Sequence, residues 1–183
     1  MTAPLSIDAG PVTLRHVEAD YAAPLAVAIN ESLEHLRPWM DWAQSPATPQ
    51  SSAMYLALQH ERFVVGGDLT WLIFEGDGDV IVGGCGLHAR HDDARVREVG
   101  YWLRPDSVGC GYASAAVAAL LRLSFDELGL GLTRVVLRCA IDNHRSAAVA
   151  RRAGFEHVSF EDANMVWVLH AETWKGAPCD PSP

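Results

Sequence analysis

The stretch from Arg95 to Ala140 constrains the fold more than any other part of the sequence. It reads as a β-rich segment to Arg104, centred on Val99-Gly-Tyr-Trp-Leu103. A loop from Pro105 to Gly111, a long apolar helix and a second strand from Leu132 follow. The helix carries Ala113, Ala116, Val117, Leu120, Leu121 and Phe125 on one broad face. It is expected to run to about Leu128, where Gly129 and Gly131 stop it. Two strands joined by a helix lie parallel, because an antiparallel pair needs only a short turn. The second strand holds the unbroken apolar run Val135-Val-Leu137, which suits the middle of a sheet. The chain must therefore build its sheet around one parallel step.

On either side of that step the signals are those of an antiparallel sheet with helices. Val12 to Val17 alternates apolar and polar residues like a half-buried strand. Asp20 is a candidate N-cap for a helix from Tyr21, in which Leu25, Ile29, Leu33 and Leu36 recur at helical spacing until Pro38 ends it. After a loop from Ser45 to Pro49, a second helix spans about Gln50 to Arg62. Leu69 to Glu75 and Val80 to His88 flank the turn Gly76-Asp-Gly-Asp79 as a hairpin. A short helix from Asn143 to Ala153 stops at Gly154, and strands at Phe155 to Phe160 and Met165 to Leu169 close the pattern. The order β-α-α-β-β-β-α-β-α-β-β predicts an α/β (α+β) fold. Its mostly antiparallel, twisted sheet should hold about six to seven strands flanked by about four helices.

With 183 residues the chain has one domain's length, read as a leader over 1–11, a single domain over 12–174 and a flexible tail over 175–183. Its 14 Lys and Arg against 23 Asp and Glu leave a formal charge of −9. That balance argues against nucleic acid as a partner and suits a cationic one, although acidity also serves solubility alone. No apolar run approaches the roughly 20 residues that a bilayer helix needs, so no membrane partner is expected, and neither is a secretory signal. Cys85, Cys110, Cys139 and Cys179 lie far apart, and none pairs with another Cys or a His at zinc spacing. Neither a metal site nor a disulfide framework is expected, and free thiols suit a cytoplasmic setting.

Val108-Gly-Cys-Gly-Tyr-Ala113 sits between a strand and the start of the long helix. The first-turn amides of a helix have no internal partners, and its dipole makes that end partly positive. Gly109 and Gly111 let the backbone approach an anion closely, while Ala113 and Ser114 keep the first turn uncluttered. This is the physics of a phosphate or pyrophosphate cradle, although a strand-to-helix turn wants glycine on structural grounds as well. A dinucleotide fingerprint fails, because Ser114 holds its last place and Asp126 and Glu127 fall inside the following helix. A Walker loop is absent, since no Gly-Lys-Ser/Thr occurs.

A second element, Asp142-Asn-His-Arg-Ser146 with Gly154-Phe155 after it, opens the next helix just past the central strand. Together these stretches resemble the GNAT family of N-acetyltransferases. The loop is similar to that family's Q/R-x-x-G-x-G/A motif, with Val108, Gly111 and Ala113 at the defining places. Asn143, Ser146, Gly154 and Phe155 are similar to its N-x-x-S…G-F motif. Thr13-Leu-Arg15, His35-Leu-Arg-Pro-Trp39 and Glu98-Val-Gly-Tyr-Trp-Leu103 resemble the RimJ/RimL-type branch. The resemblance covers roughly Val12 to Trp174. One place departs from it: Val108 stands where Gln or Arg is usual. That removes a polar side chain near the pyrophosphate and leaves the backbone amides.

The resemblance implies acetyl-CoA as donor, no metal, and direct attack by a primary amine without an acyl-enzyme. It places the donor on Trp102, Leu103, Val108, Gly109, Cys110, Gly111, Tyr112, Ala113, Ser114, Asn143 and Ser146. Backbone groups of Trp102 and Leu103 would meet the pantetheine arm where family sheets splay. Such chemistry needs a base for the amine proton, a donor to the oxyanion and a proton donor to the leaving thiolate. Glu98 is the candidate base and Ser146 the candidate thiol-protonating group. Glu98 could instead simply pair with Arg95 or Arg97. Asn143 and Ser146 could equally cap their helix. His88, ending the preceding strand, is the rival base by its ordinary pKa. Cys110 reads as a small filler residue, since direct attack needs no nucleophilic thiol.

For the acceptor, Trp39, Trp42 and His88 are the candidate cleft residues. Acidic edges at Glu31, Glu34, Asp41 and Glu98 would favour a cationic amine, whether a protein N-terminus, an aminoglycoside or a polyamine. Two alternatives stay open: a succinyl-CoA donor met by His144 or Arg145, and a non-catalytic acyl-CoA-binding domain. The last two strands could also supply an edge for a homodimer.

Overall fold

The computed structural model describes residues 3–90, 93–126 and 129–176. The strands are β1 (Ser6–Asp8), β2 (Val12–His16), β3 (Leu69–Glu75), β4 (Ile81–Ala89), β5 (Val96–Leu103), β6 (Arg134–Ala140), β7 (Glu156–Glu161) and β8 (Asn164–His170). The helices are α1 (Ala22–Leu36), α2 (Pro49–Val64), α3 (Tyr112–Phe125) and α4 (His144–Arg152). One 8-stranded sheet joins all the strands in the order β1-β2-β3-β4-β5-β6-β8-β7. Every neighbouring pair is antiparallel except β5 and β6, the parallel step that the helical crossover requires.

The sheet has one strand more than the upper end of the expected range. Ser6–Asp8, read as leader from the sequence, pairs with Thr13–Arg15 and extends the sheet beyond β2. Three residues are too few for a period of two to show. Asp20 does not cap α1. A single 3-10 turn, Ala19–Tyr21, leads into that helix, and no side chain caps it. The clear cap belongs to α2, where the Thr48 hydroxyl accepts from the Ser51 amide, the Ser51 hydroxyl accepts from the Thr48 amide, and Pro49 opens the first turn. Helix α3 ends at Phe125, because Asp126 turns to extended backbone. Glu127 and Leu128, to which the helix was expected to run, lie outside the described residues, as do Cys179 and positions 177–183 of the expected tail.

Helices cover the sheet on both faces. Ala116, Val117, Leu120 and Leu121 of α3 and Ala147 and Ala150 of α4 pack with Leu14, Trp71, Leu87, Val99 and Leu137 on one face. Leu25 and Ala28 of α1 and Leu56 of α2 pack with Leu72, Phe74 and Ile81 on the other. No helix among the described residues is long and apolar enough to cross a membrane.

A part-buried pair of histidines sits beside this core. His16 is buried, its Nε2 lies 2.9 Å from His60 Nδ1, and its ring packs 4.1 Å from that of Phe63. Burial, and then the neighbouring His60, lower the His16 pKa below its usual 6.5. The unfolded chain therefore takes up a proton at a higher pH than the folded one. This stability is full above about pH 6.5 and is lost as the pH falls below it. The melting temperature is expected to drop between pH 7.5 and 5.5, and His16→Gln should flatten that slope in a thermal scan.

The feature that positions the site is a wedge in the sheet. Strands β5 and β6 are in register only from Val96↔Arg134 to Val99↔Leu137. Beyond that point Arg138 to Ala140 stay paired to β8, and Gly100 to Leu103 stay paired to β4. The two strands part, and the backbone edges facing the wedge have no strand partner.

Candidate active site

The glycine loop opens on the wedge. Gly109 and Gly111 adopt left-handed backbone, with φ of 91° and 80°. Gly111 is the N-cap of α3, and no side chain caps that helix. A methyl group built at either glycine meets nothing within 4 Å, so the space beside the loop is open. First-turn amides at such an end are directed to a ligand rather than to the protein. These residues fit a pyrophosphate.

Around the loop, Val108 is half-buried against the core and Cys110 is exposed. The Tyr112 hydroxyl donates to the Glu75 carboxylate, and that bond holds the phenol up at about 12. Ala113 and Ser114 form the first turn, and Ser114 Oγ accepts from Arg152 at 3.1 Å. Arg152 thus sets a guanidinium beside the loop, where Val108 supplies no polar group. The sequence reading passed over it, because it comes from the end of a different helix, α4.

At the wedge itself the structure divides the two residues assigned there. Amides alternate along a strand, and Arg104 N–H donates to Val82 O in β4, while Arg95 O accepts from Thr133 N–H beside β6. Even-numbered residues of β5 therefore turn their backbone to β4, and odd-numbered ones turn it to the wedge. Leu103 presents its backbone to the wedge, as expected, and Tyr101 joins it. Trp102 instead spends its backbone on β4, and its indole lies over Gly84 on the α1/α2 face.

Across the wedge, Asn143 caps α4, with its Oδ1 accepting the Ser146 N–H at 3.1 Å. The Ser146 hydroxyl lies 2.8 Å from that of Tyr101. Burial pushes the Tyr101 phenol up to about 12. It also raises the Cys139 thiol, which lies against Ser146. The sequence held one clue to Tyr101: the period of two places it on the same face as Val99 and Leu103.

On the opposite face, Glu98 and His88 stand directly across from each other in the β4–β5 register. Glu98 does not pair with Arg95 or Arg97. Its Oε2 lies 3.2 Å from Arg90 and 3.3 Å from Arg138, and Arg138 also reaches Glu161 at 2.8 Å. The Arg138–Glu98 pair bridges the strands where the wedge begins. His88 has Asp68 Oδ2 at 3.8 Å from its Nδ1, and its Nε2 faces Gly100. Between the His88 and Trp102 rings the floor is made by Gly84, Gly86 and Gly100. Trp42 packs edge-on to Trp102 at 6.0 Å and is half exposed, and Trp39 is also exposed. Of the acidic rim, Glu31 is engaged by Arg104 and Glu98 by two arginines, so less free negative charge faces an acceptor than the sequence suggests. Among the described residues no group of three or more His, Cys, Asp or Glu could hold a metal ion.

A family model described as an acetyltransferase (GNAT) domain matches residues 12–156. The chain is 29% identical over 146 residues to YdaF of Bacillus subtilis (strain 168), which is named as a candidate ribosomal N-acetyltransferase; the match covers 79% of this chain and 77% of that one. It is 28% identical over 145 residues to the ribosomal-protein-serine acetyltransferase of Escherichia coli (strain K12), covering 78% and 77%. Among solved structures, Mycobacterium smegmatis RimJ in complex with CoA-disulfide superposes with a TM-score of 0.79 at 26% identity, covering 96% of this chain and 89% of that one.

Proposed function

The chain belongs to the GNAT acetyltransferase family and is an acetyl-CoA-dependent N-acetyltransferase; on that premise we propose that the amine it acetylates is the N-terminus of a protein. The observation that carries this reading is the wedge. With the donor on the β5 edge, the facing edge of β6 at Arg138 to Ala140, which has no strand partner on that side, can take an extended peptide by main-chain hydrogen bonds. The ribosomal-protein acetyltransferases to which the chain is similar support a protein acceptor over a small amine. So does the net charge of −9, which favours a basic partner.

The thioester supplies an activated acetyl carbon: the amine nitrogen bonds to it, the carbon–sulfur bond breaks, and its electron pair passes to sulfur. This chain's residues do the rest. Gly109, Gly111 and the first turn of α3 cradle the pyrophosphate, with Arg152 at the rim. Backbone groups of Tyr101 and Leu103 orient the pantetheine arm. Glu98, at the mouth of the wedge on the acceptor face, takes the amine proton directly or through water. A second reading gives that role to His88, because Asp68 stands behind its Nδ1 and its Nε2 faces the trough. Ser146 donates to the departing sulfur.

The test is mass spectrometry of acetyl transfer to matched peptides. Peptides with a free N-terminus should be acetylated there. The same sequences with a formylated N-terminus and a free lysine should stay unmodified, and so should spermidine and kanamycin. Equal transfer to the small amines, with none to the peptides, would overturn the protein-acceptor reading. Calorimetry with acetyl-CoA runs beside it, and absence of binding would remove the donor site.

A further inference from the structure

The Tyr101–Ser146 hydrogen bond crosses the wedge on the face packed by α3 and α4. It ties β5 to the first turn of α4 at the level where β5 and β6 are no longer paired. Both side chains are half-buried. The Ser146 backbone is already fixed, since its N–H is taken by Asn143. Its χ1 and the rotation of its hydroxyl then remain, and the Tyr101 oxygen limits both. Tyr101 is itself held, with its ring packed on the main core cluster and Cys85 opposite it in the register. Its phenol is protonated at neutral pH and can donate.

Resting on the acetyl-transfer reading above, we propose that Tyr101 is a positioning residue for departure of the thiol: it donates to Ser146 Oγ and so turns the Ser146 proton into the wedge, toward the leaving sulfur. A hydroxyl that already accepts a hydrogen bond becomes a stronger donor in turn. No proton leaves Tyr101. The electron pair of the broken carbon–sulfur bond resides on sulfur, Ser146 O–H stabilises it, and the proton given up by the amine balances the charge. The Tyr101 side chain, unlike its backbone, touches neither substrate and acts through Ser146.

Steady-state kinetics and thermal melts of wild type, Tyr101→Phe, Ser146→Ala and the double variant test the proposal. Phenylalanine keeps the ring and removes one oxygen. Tyr101→Phe is expected to lower kcat by about tenfold to a hundredfold, the range for losing a group that orients a functional one. The KM for acetyl-CoA and the melting temperature should stay at wild-type values. The double variant should be no slower than Ser146→Ala alone, because residues acting as a unit are not additive. Wild-type kcat in Tyr101→Phe would overturn the proposal, and so would losses that multiply in the double variant or that track a lower melting temperature. A wild type that transfers no acetyl group to any acceptor would overturn the acetyl-transfer reading and this assignment with it. An active wild type with an unaffected variant overturns the assignment alone.

Discussion

Gly83→Ala is expected to melt well below the wild type, by roughly 5 °C or more, and to lose activity in parallel. A Cβ at this position would lie 2.2 Å from the Trp102 carbonyl oxygen and 2.8 Å from Leu103 Cδ2. The oxygen belongs to the backbone of β5 and cannot swing aside. Relief requires β4 and β5 to move apart in the middle of the sheet, where their register runs from Gly83↔Leu103 to Ala89↔Arg97. Overpacking of this kind costs about 1–3 kcal/mol, sometimes more. In a chain of this size each kcal/mol is worth about 2–4 °C. The next residue makes the control. A Cβ at Gly84 meets the Trp102 indole nitrogen at 2.7 Å, the far end of a side chain that can turn, so Gly84→Ala should fold and disturb only the trough. Equal melting of Gly83→Ala and wild type would mean that β4 and β5 tolerate separation there.

Glu98→Gln is expected to lower kcat by about a hundredfold to ten-thousandfold, the range for a lost general base, with acetyl-CoA binding by calorimetry unchanged. Glutamine keeps the shape and cannot take the proton. It also weakens the contacts with Arg90 and Arg138. Those pairs are about a third exposed, so their loss should cost about 1 kcal/mol or less and leave the fold intact. The pH profile separates the two candidate bases. If Glu98 is the base, His88→Gln keeps the wild-type profile. If kcat falls only in His88→Gln, and its acidic limb moves, the proton goes to the histidine and Glu98 serves as an ion-pair anchor.

The sequence made the parallel step legible because a glycine loop, a long apolar helix and Val135-Val-Leu137 all demand it. It made the cradle legible because only glycines relieve positive φ at 109 and 111. It missed what depends on distant partners. Arg152 and Ser114 are 38 residues apart, and Tyr101 and Ser146 are 45 apart. Neither pair leaves a local pattern. Trp102 was assigned to the donor with Leu103 from the place where sheets of the resembling family splay, but strand alternation sends its backbone to β4 and its ring to the α1/α2 face. The acidic rim was counted as free charge, because the arginines that engage it lie on other elements. Thr48, Pro49 and Ser51 carried the cap of α2 openly, Thr48 and Pro49 in the stretch treated as loop and Ser51 in the first turn of the helix.

The parting of β5 and β6 has a mechanical meaning. Within the sheet, the β6-β8-β7 blade joins β5 by four residue pairs and the Glu98–Arg138 bridge, while the core under α3 and α4 packs it to the rest. A donor seated in the gap as proposed would take the place of the missing rungs, and so would work as mortar between two slabs as well as a reactant. Its binding energy is then shared between holding the acyl group and stiffening the hinge. The enzyme should be at its most pliant in the interval after coenzyme leaves and before the next donor arrives.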